Sequence, residues 1–149
     1  MAHLINTNVL VRLANTADAS HAVAAWAVLE LHRRGEALHL TAQVLIEFRN
    51  VATRPKAVNG LGLSTVDAEA QSLGFEASFP LLAETPDIYP AWKALVEALG
   101  VVGKQVHDAR LVAVCHAYGV THLLTFNAGH FARMANNGPG LVVVDPANV

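Results

Sequence analysis

Cysteine is nearly absent from the sequence: Cys115 is the only one in 149 residues. A single cysteine excludes a disulfide framework and a zinc site built from several thiolates, and it favours a reducing compartment such as the cytoplasm. No apolar run reaches the roughly 20 residues that a membrane span needs. The initial residues MAHLINTNVL lack the basic leader and apolar core of a signal peptide. We therefore expect a cytoplasmic protein without a membrane anchor.

Charged residues are also few, at 15% of the chain, and the formal net charge is −2. A hydrophobic share of 53% distinguishes the chain from disordered proteins, which are poorer in apolar residues. Its length predicts one domain over residues 1–149. Proteins that coat nucleic acid by electrostatic attraction are usually strongly basic, so the charge excludes that class. It leaves open an enzyme that acts on RNA at one local site.

Short apolar runs alternate along the chain with patterns typical of helices. Strands are predicted at residues 3–5, 38–40, 79–82, 123–125 and 141–144, and helices at 7–14, 20–34, 41–55, from 64, at 85–100 with Pro86 in the first position, at 106–118 and near 129–133. The connections are too long for hairpins, which predicts an α/β fold with a mostly parallel sheet covered on both faces. Ligands of such folds bind beyond the carboxyl ends of the strands, here residues 6–8 and 126–130.

Two carboxylates occupy positions where apolar residues would be easier to bury. Asp108 lies on the same side of its predicted helix as Val112 and Cys115, where a carboxylate is costly unless a cation or metal compensates it. The alternative is that Asp108 interacts favourably with the helix dipole in the first turn. Glu47 lies at the edge of an apolar helical arc, and its alternative role is an ion pair with Arg54.

Two amide side chains, Asn6 and Asn127, follow predicted strands and are expected close to these acids. Asn127 has an alternative role as the cap of the next helix. Oxygen ligands from a few carboxylates suit Mg²⁺ or Mn²⁺, which retain open positions for a phosphate substrate. The residues together predict a phosphodiesterase site.

Four segments resemble, in order, the signature blocks of PIN-domain ribonucleases: INTNVLVRL at 5–13, LIEFRNVATRP at 45–55, HDARLVA at 107–113 and LLTFNAGHF at 123–131. The branch they most resemble is the VapC type of bacterial toxin–antitoxin pairs. The resemblance implies a three-layer α/β/α sandwich with a central, mostly parallel sheet. It also implies a Mg²⁺- or Mn²⁺-dependent endoribonuclease that acts on RNA, forms a homodimer and is inhibited by a cognate antitoxin.

The resemblance also implies roles for individual residues. Asn6, Glu47 and Asp108 match metal-binding positions, and Asn127 matches a further catalytic position. Thr7 matches a hydroxyl residue beside the site.

This chain departs from the family pattern at two positions. The family normally has Asp where this chain has Asn6, and often an acid where it has His130. An amide is nearly isosteric with a carboxylate but neutral, so it should weaken metal affinity and cleavage. The good match around Asn6 indicates a recent replacement, natural or engineered. A histidine can contact phosphate or a metal, but it replaces a carboxylate poorly around Mg²⁺.

Two other functions stay open. One is a catalytically disabled PIN-fold protein that binds antitoxin or RNA without cleavage, which Asn6 and His130 favour. The other is a small-ligand α/β domain such as a phosphotransfer receiver, against which the missing Asp after the first strand and the four ordered blocks both count.

The cationic and aromatic residues give weaker signals. Seven of the ten basic residues are arginine, and five cations in or near the blocks could surround the pocket: Arg12, Arg49, Arg54, Lys104 and Arg110. We interpret Trp26 and Trp92 as core or interface anchors rather than as platforms for base stacking.

Overall fold

Five strands form one parallel sheet in the computed structural model, which describes residues 1–149. The strands are β1 Ala2–Ile5, β2 Ala37–Thr41, β3 Leu81–Leu82, β4 His122–Leu124 and β5 Val142–Val144. Their order across the sheet is β3-β2-β1-β4-β5, and β1 is hydrogen-bonded to both β2 and β4. The first and fourth strands along the chain are therefore neighbours at the centre of the sheet.

Seven helices connect these strands: α1 Thr7–Ala14, α2 His21–Arg33, α3 Ala42–Thr53, α4 Thr65–Ser78, α5 Ile88–Leu99, α6 Gln105–Tyr118 and α7 Ala128–Ala135. Short 3-10 turns occupy Lys56–Val58 and Pro146–Asn148. The chain steps outward from β1 to β3, and then returns across the sheet to β4 and β5. With right-handed crossovers, α1 to α4 cover one face and α5 to α7 the other. The contacts agree, because α1 packs on α2 and α3, whereas α6 packs on α5 and α7. The predicted three-layer sandwich is confirmed.

The core lies at the central strands and at α6. Leu4, Ile5, Leu123 and Leu124 have no exposed surface, as expected of parallel strands covered on both faces. The predicted central helix, α6, is buried on most sides. Burial raises the pKa of the Cys115 thiol to about 12, so this cysteine is an unreactive core residue.

Local sequence signals explain most helix boundaries. Thr41 Oγ1 accepts a hydrogen bond from the Val44 N–H at 3.2 Å, and Ser64 Oγ accepts one from the Asp67 N–H at 3.0 Å. Arg54 is extended, as a residue before proline usually is, so α3 ends just before it. These predicted boundaries are confirmed to within a residue or two.

The predicted start of α5 is wrong. The helix begins at Ile88 rather than at Thr85 and Pro86, with Asp87 as its N-cap residue. Pro90 explains the shift, because a residue without an N–H fits the first helical turn, where amides have no partner within the helix. Thr85 instead accepts a hydrogen bond from the Ile88 N–H at 3.2 Å through its carbonyl.

The two tryptophans differ. Trp92 packs against the core, in agreement with its interpretation as an anchor. Trp26 is 58% exposed, which excludes the core alternative, and its role as an interface anchor stays a prediction. None of the seven helices combines the length and the hydropathy required to cross a membrane.

Candidate active site

The four predicted site residues line one cleft of about 290 Å³: Asn6, Glu47, Asp108 and Asn127. Asn6 follows β1 and Asn127 lies just beyond β4, so the cleft is at the carboxyl edge of the sheet, where α/β folds bind ligands. Glu47 comes from α3 on one face of the sheet and Asp108 from α6 on the other. These four side chains, which are up to 121 positions apart in the chain, therefore lie together because neighbouring parallel strands end at the same edge of the sheet.

Asn6 uses both ends of its side-chain amide. It is 6% exposed, and its Oδ1 accepts a hydrogen bond from the Thr7 N–H at 2.7 Å, which caps α1. Its Nδ2 donates to Thr125 Oγ1 at 3.0 Å. The Thr7 N–H fixes this orientation, because the flipped amide would place two donors against each other.

The fully buried Thr125 hydroxyl receives three hydrogen bonds. The donors are Asn6 Nδ2 at 3.0 Å, Asn8 Nδ2 at 2.9 Å and the Asn127 N–H at 3.1 Å. Asn8 is also fixed in orientation, since its Oδ1 accepts from the Phe126 N–H at 3.1 Å.

These donors exceed what one hydroxyl can accept. A hydroxyl group offers two acceptor lone pairs and one proton of its own. Here the third donor has no lone pair, and the Thr125 proton has no acceptor among the hydrogen bonds of that side chain. An aspartate at position 6 would remove one donor and accept the Thr125 proton. The hydrogen-bond pattern therefore fits a carboxylate at position 6 better than the amide that this chain has.

Glu47 is held by two neutral donors. Its Oε2 accepts from the Thr7 hydroxyl at 2.7 Å and its Oε1 from Gln43 Nε2 at 2.9 Å. The alternative ion pair with Arg54 is wrong, because Arg54 donates to the Asn59 carbonyl at 3.2 Å. The backbone of Arg54 is extended after the end of α3, which directs the Arg54 side chain toward the loop that contains Asn59. Glu47 is thus fixed in position while its negative charge stays uncompensated.

Asp108 has no hydrogen-bond partner for its carboxylate. The Nδ1 atom of His130 lies 3.9 Å from Asp108 Oδ2, an ion pair only when the imidazole is protonated. Burial raises the pKa of Asp108 above its usual value and Glu47 raises it further, whereas His130 and His107 oppose this shift. The position in the first turn of α6 also agrees with the predicted dipole interaction. The cleft therefore holds two carboxylates whose burial a bound cation would compensate.

The predicted capping role of Asn127 is wrong. It precedes α7, but its side chain forms no cap hydrogen bond. Its backbone angles, φ −109° and ψ 50°, lie outside the extended region of most N-cap residues, and its N–H donates to the Thr125 hydroxyl. The amide lines the cleft instead.

The five predicted rim cations separate into groups. Arg12 lines the cleft, and its guanidinium carbon lies 4.4 Å from the centre of the Phe126 ring. Lys104 and Arg110 line a neighbouring cavity. Arg49 pairs with Glu69, and Arg54 faces the loop.

The sequence interpretation assigned no role to Thr125 or Gln43, and it included Asn8 only within the predicted ligand-binding range 6–8. Gln43 precedes Glu47 by four residues, a spacing at which helical side chains interact, so it could have been found. Thr125 is a polar residue directly after a buried strand, which is a weaker signal.

The donor set of the cleft suits a hard cation better than zinc. No three His, Cys, Asp or Glu side chains are grouped to hold a metal. Mg²⁺ commonly binds through only one or two carboxylates and retains waters, a requirement that Glu47 and Asp108 meet. The amide oxygens of Asn6 and Asn127 are neutral donors of the kind such ions accept. The residues fit Mg²⁺ or Mn²⁺, with one carboxylate fewer than an aspartate at position 6 would give.

A family model described as PIN domain matches residues 4–137. No curated protein sequence matches the chain. The DNA-bound VapBC structure from Salmonella typhimurium superposes with a TM-score of 0.71 at 14% identity and covers 98% of each chain. VapBC2 from Rickettsia felis, bound to a DNA fragment from its promoter, gives 0.70 at 18% identity and covers 97% of this chain and 98% of that one. Mycobacterium tuberculosis VapC20, described as a sarcin–ricin loop cleaving toxin, gives 0.61 at 20% identity, with 88% and 94% covered.

Proposed function

The chain belongs to the PIN domain family, and we propose that it is a VapC-type toxin, a metal-dependent endoribonuclease that a cognate antitoxin inhibits. The observation that carries this proposal is the shared cleft of Glu47, Asp108, Asn6 and Asn127. The structural neighbours support the partner and substrate classes, since they include VapBC complexes and a toxin described as cleaving the sarcin–ricin loop. A cytoplasmic location and a homodimer belong to the same proposal.

Glu47 and Asp108 would hold Mg²⁺ or Mn²⁺, with Asn6 and Asn127 as neutral oxygen donors. When bound, such an ion supplies Lewis acidity at the scissile phosphate and lowers the pKa of water.

The protein's own residues orient the acids and contact the substrate. Thr7 and Gln43 fix both oxygens of Glu47, so this carboxylate needs little reorganisation on binding. Arg12 is held by the Asn8 carbonyl at 3.0 Å and lines the cleft, where it can contact a phosphate oxygen. The side chain of His130 is 61% exposed beside Asp108 and can contact the phosphate backbone of the RNA. Together they would place an RNA phosphate next to the two acids.

Restoring a carboxylate at position 6 tests this function. We expect Asn6→Asp to increase Mg²⁺-dependent RNA cleavage on the order of 100-fold, which corresponds to about 3 kcal/mol of transition-state stabilisation. The measurement is cleavage of a panel of RNAs with and without Mg²⁺ or Mn²⁺. The matched control adds Asp108→Asn to Asn6→Asp and should return the rate to that of the parent chain. A folded Asn6→Asp variant that stays inactive with metal supplied contradicts the proposal.

A second candidate is a PIN-fold binding protein that captures antitoxin or RNA without cleavage. The favouring observation is that position 6 is a neutral amide, which adds no charge to the cleft, and that both of its polar ends are already hydrogen-bonded within the protein. This candidate predicts partner binding by the parent chain with little affinity for Mn²⁺. Calorimetric titration with Mn²⁺ separates it from the nuclease.

A further inference from the structure

A lateral groove continues from the acidic cleft across α3 and α6. It begins as a cavity of about 640 Å³ whose lining includes Glu47, which the cleft also contains, together with Lys104, His107 and Arg110. A third cavity of about 380 Å³ shares His107 and Arg110 with it. The shared lining residues therefore place the three cavities next to one another, from the cleft that contains Glu47 to the surface at Tyr89 and Trp92.

The far end of the lateral groove is aromatic. Tyr89 and Trp92 are stacked there, with ring centres 5.7 Å apart and ring planes at 26°. Trp92 packs on the core and its Nε1 donates to the Val106 carbonyl at 2.7 Å, so its ring is fixed. Tyr89 is 66% exposed on this support. An exposed aromatic ring on a rigid base is the feature on which nucleobases stack.

Cations lie between the aromatic pair and the acids. Lys104 forms no ion pair with any acidic side chain of the protein. Arg110 donates to Gln43 Oε1 at 3.0 Å and pairs with Glu84. Gln43 also donates to Glu47 and to the His107 carbonyl, the latter at 2.8 Å. Gln43 thus holds Arg110 in a fixed position relative to Glu47.

We propose that the lateral groove is an RNA subsite in which a base near the scissile phosphate stacks on Tyr89, while Lys104 and Arg110 contact the intervening phosphates. This subsite rests on the proposed nuclease function. In single-stranded nucleic acid, bases alternate with phosphates. The aromatic pair can stack with a base, and the side chains of Lys104 and Arg110 can contact the phosphates. A peptide or a second copy of the chain would not require the groove to lead into the acids.

The test uses short single-stranded RNAs that carry 2-aminopurine at each position in turn, without divalent cations so that no cleavage occurs. The parent chain should bind by fluorescence anisotropy and quench 2-aminopurine at one position. Tyr89→Leu should weaken binding roughly 5- to 150-fold and abolish that quenching, since stacking on one base accounts for this range. Tyr89→Phe should retain both properties. Trp26→Leu, which removes an exposed aromatic side chain outside the groove, should change neither.

Equal affinity of Tyr89→Leu and the parent chain, or no RNA binding by either, overturns the subsite. Sedimentation that shows a dimer lost only in Tyr89→Leu, at unchanged RNA affinity, assigns the aromatic pair to a copy of the chain and also overturns it. Cleavage by Asn6→Asp with and without Tyr89→Leu separates the two hypotheses. Cleavage with an unchanged KM contradicts the subsite alone, whereas Tyr89-dependent RNA binding without any cleavage supports the subsite and contradicts the nuclease function.

Discussion

Polar residues lie at both ends of the sheet, near the start and the end of β1 and β4. The two ends differ in how their carboxylates are paired with cations. At the amino end, Glu36 Oε2 lies 2.6 Å from the Met1 amino group and 3.7 Å from His3 Nδ1. At the carboxyl end, Asp108 has no hydrogen-bond partner and shares a cleft with Glu47. Glu36 is thus paired with an amino group at 2.6 Å, whereas Glu47 forms no ion pair and the carboxylate of Asp108 has only the His130 imidazole at 3.9 Å. A weakly compensated pair of acids is the arrangement expected where a cation and a phosphate are to bind.

The largest expected effect on stability comes from the hydroxyl that organises the carboxyl end. Thr125→Val removes the acceptor for which three buried donors compete, so at least two of them lose a hydrogen bond and the free energy of unfolding should fall by about 3 kcal/mol. Chemical denaturation measures this change. Thr53→Val, which removes a hydroxyl that donates to the Arg49 carbonyl on α3, is the control and should cost no more than about 0.5 kcal/mol. Similar losses in both variants would show that the Thr125 network is not special.

The amino end should be sensitive to pH. Burial, with a smaller effect of His122, lowers the pKa of His3 from 6.5 to about 4. The unfolded chain therefore binds more protons between these values, and the free energy of unfolding should fall by about 3 kcal/mol as the pH drops from 6.5 to 4. The loss levels off about one pH unit below 4, where the imidazole is protonated in the folded protein as well.

Denaturation of the His3→Leu variant across this pH range tests that assignment. The variant should lose most of the slope, because leucine is neutral and suits a buried strand. His32→Leu, at an exposed position on α2, should retain the parent slope. An unchanged slope in His3→Leu would assign the pH dependence to other groups.

Removing one charge at each end should change stability in opposite directions. Without metal, Asp108→Asn should stabilise the protein by about 1 kcal/mol, since it removes a partly buried carboxylate near Glu47. Glu36→Gln should lower the melting temperature, because it removes the partner of the N-terminal amino group. Thermal melts in a chelating buffer measure both. Destabilisation by Asp108→Asn would contradict the distinction between the two ends.

The sequence predicted the parts of the site that depend on the periodicity of apolar residues and on the order of the strands. Apolar strands followed at once by Asn6 and by residues 126–130 had to end at the same edge of a parallel sheet. The Thr125 network could not be predicted, because the orientation of Asn6 and Asn8 depends on backbone N–H groups that only the folded chain positions. The alternative Glu47–Arg54 pair is absent because α3 ends before Arg54, as the position of Arg54 directly before Pro55 could have indicated.

The lateral groove illustrates the same limit. Gln43 and Glu47 are one helical turn apart, but the His107 carbonyl that Gln43 also binds is 64 residues away in the chain. Tyr89 gave no signal in sequence, because its exposure depends on where α5 begins and on how Trp92 packs beneath it.

Mn²⁺ affinity tests the central claim, that the carboxyl-end cleft is a cation site limited by the residue at position 6. Isothermal titration should compare the parent chain, Asn6→Asp, and Asn6→Asp combined with Asp108→Asn. We predict that Asn6→Asp binds Mn²⁺ roughly 10-fold or more tightly than the parent chain, and that adding Asp108→Asn removes the gain, because affinity follows the number of charged oxygen ligands. Equal, weak binding by all three folded proteins would contradict the account.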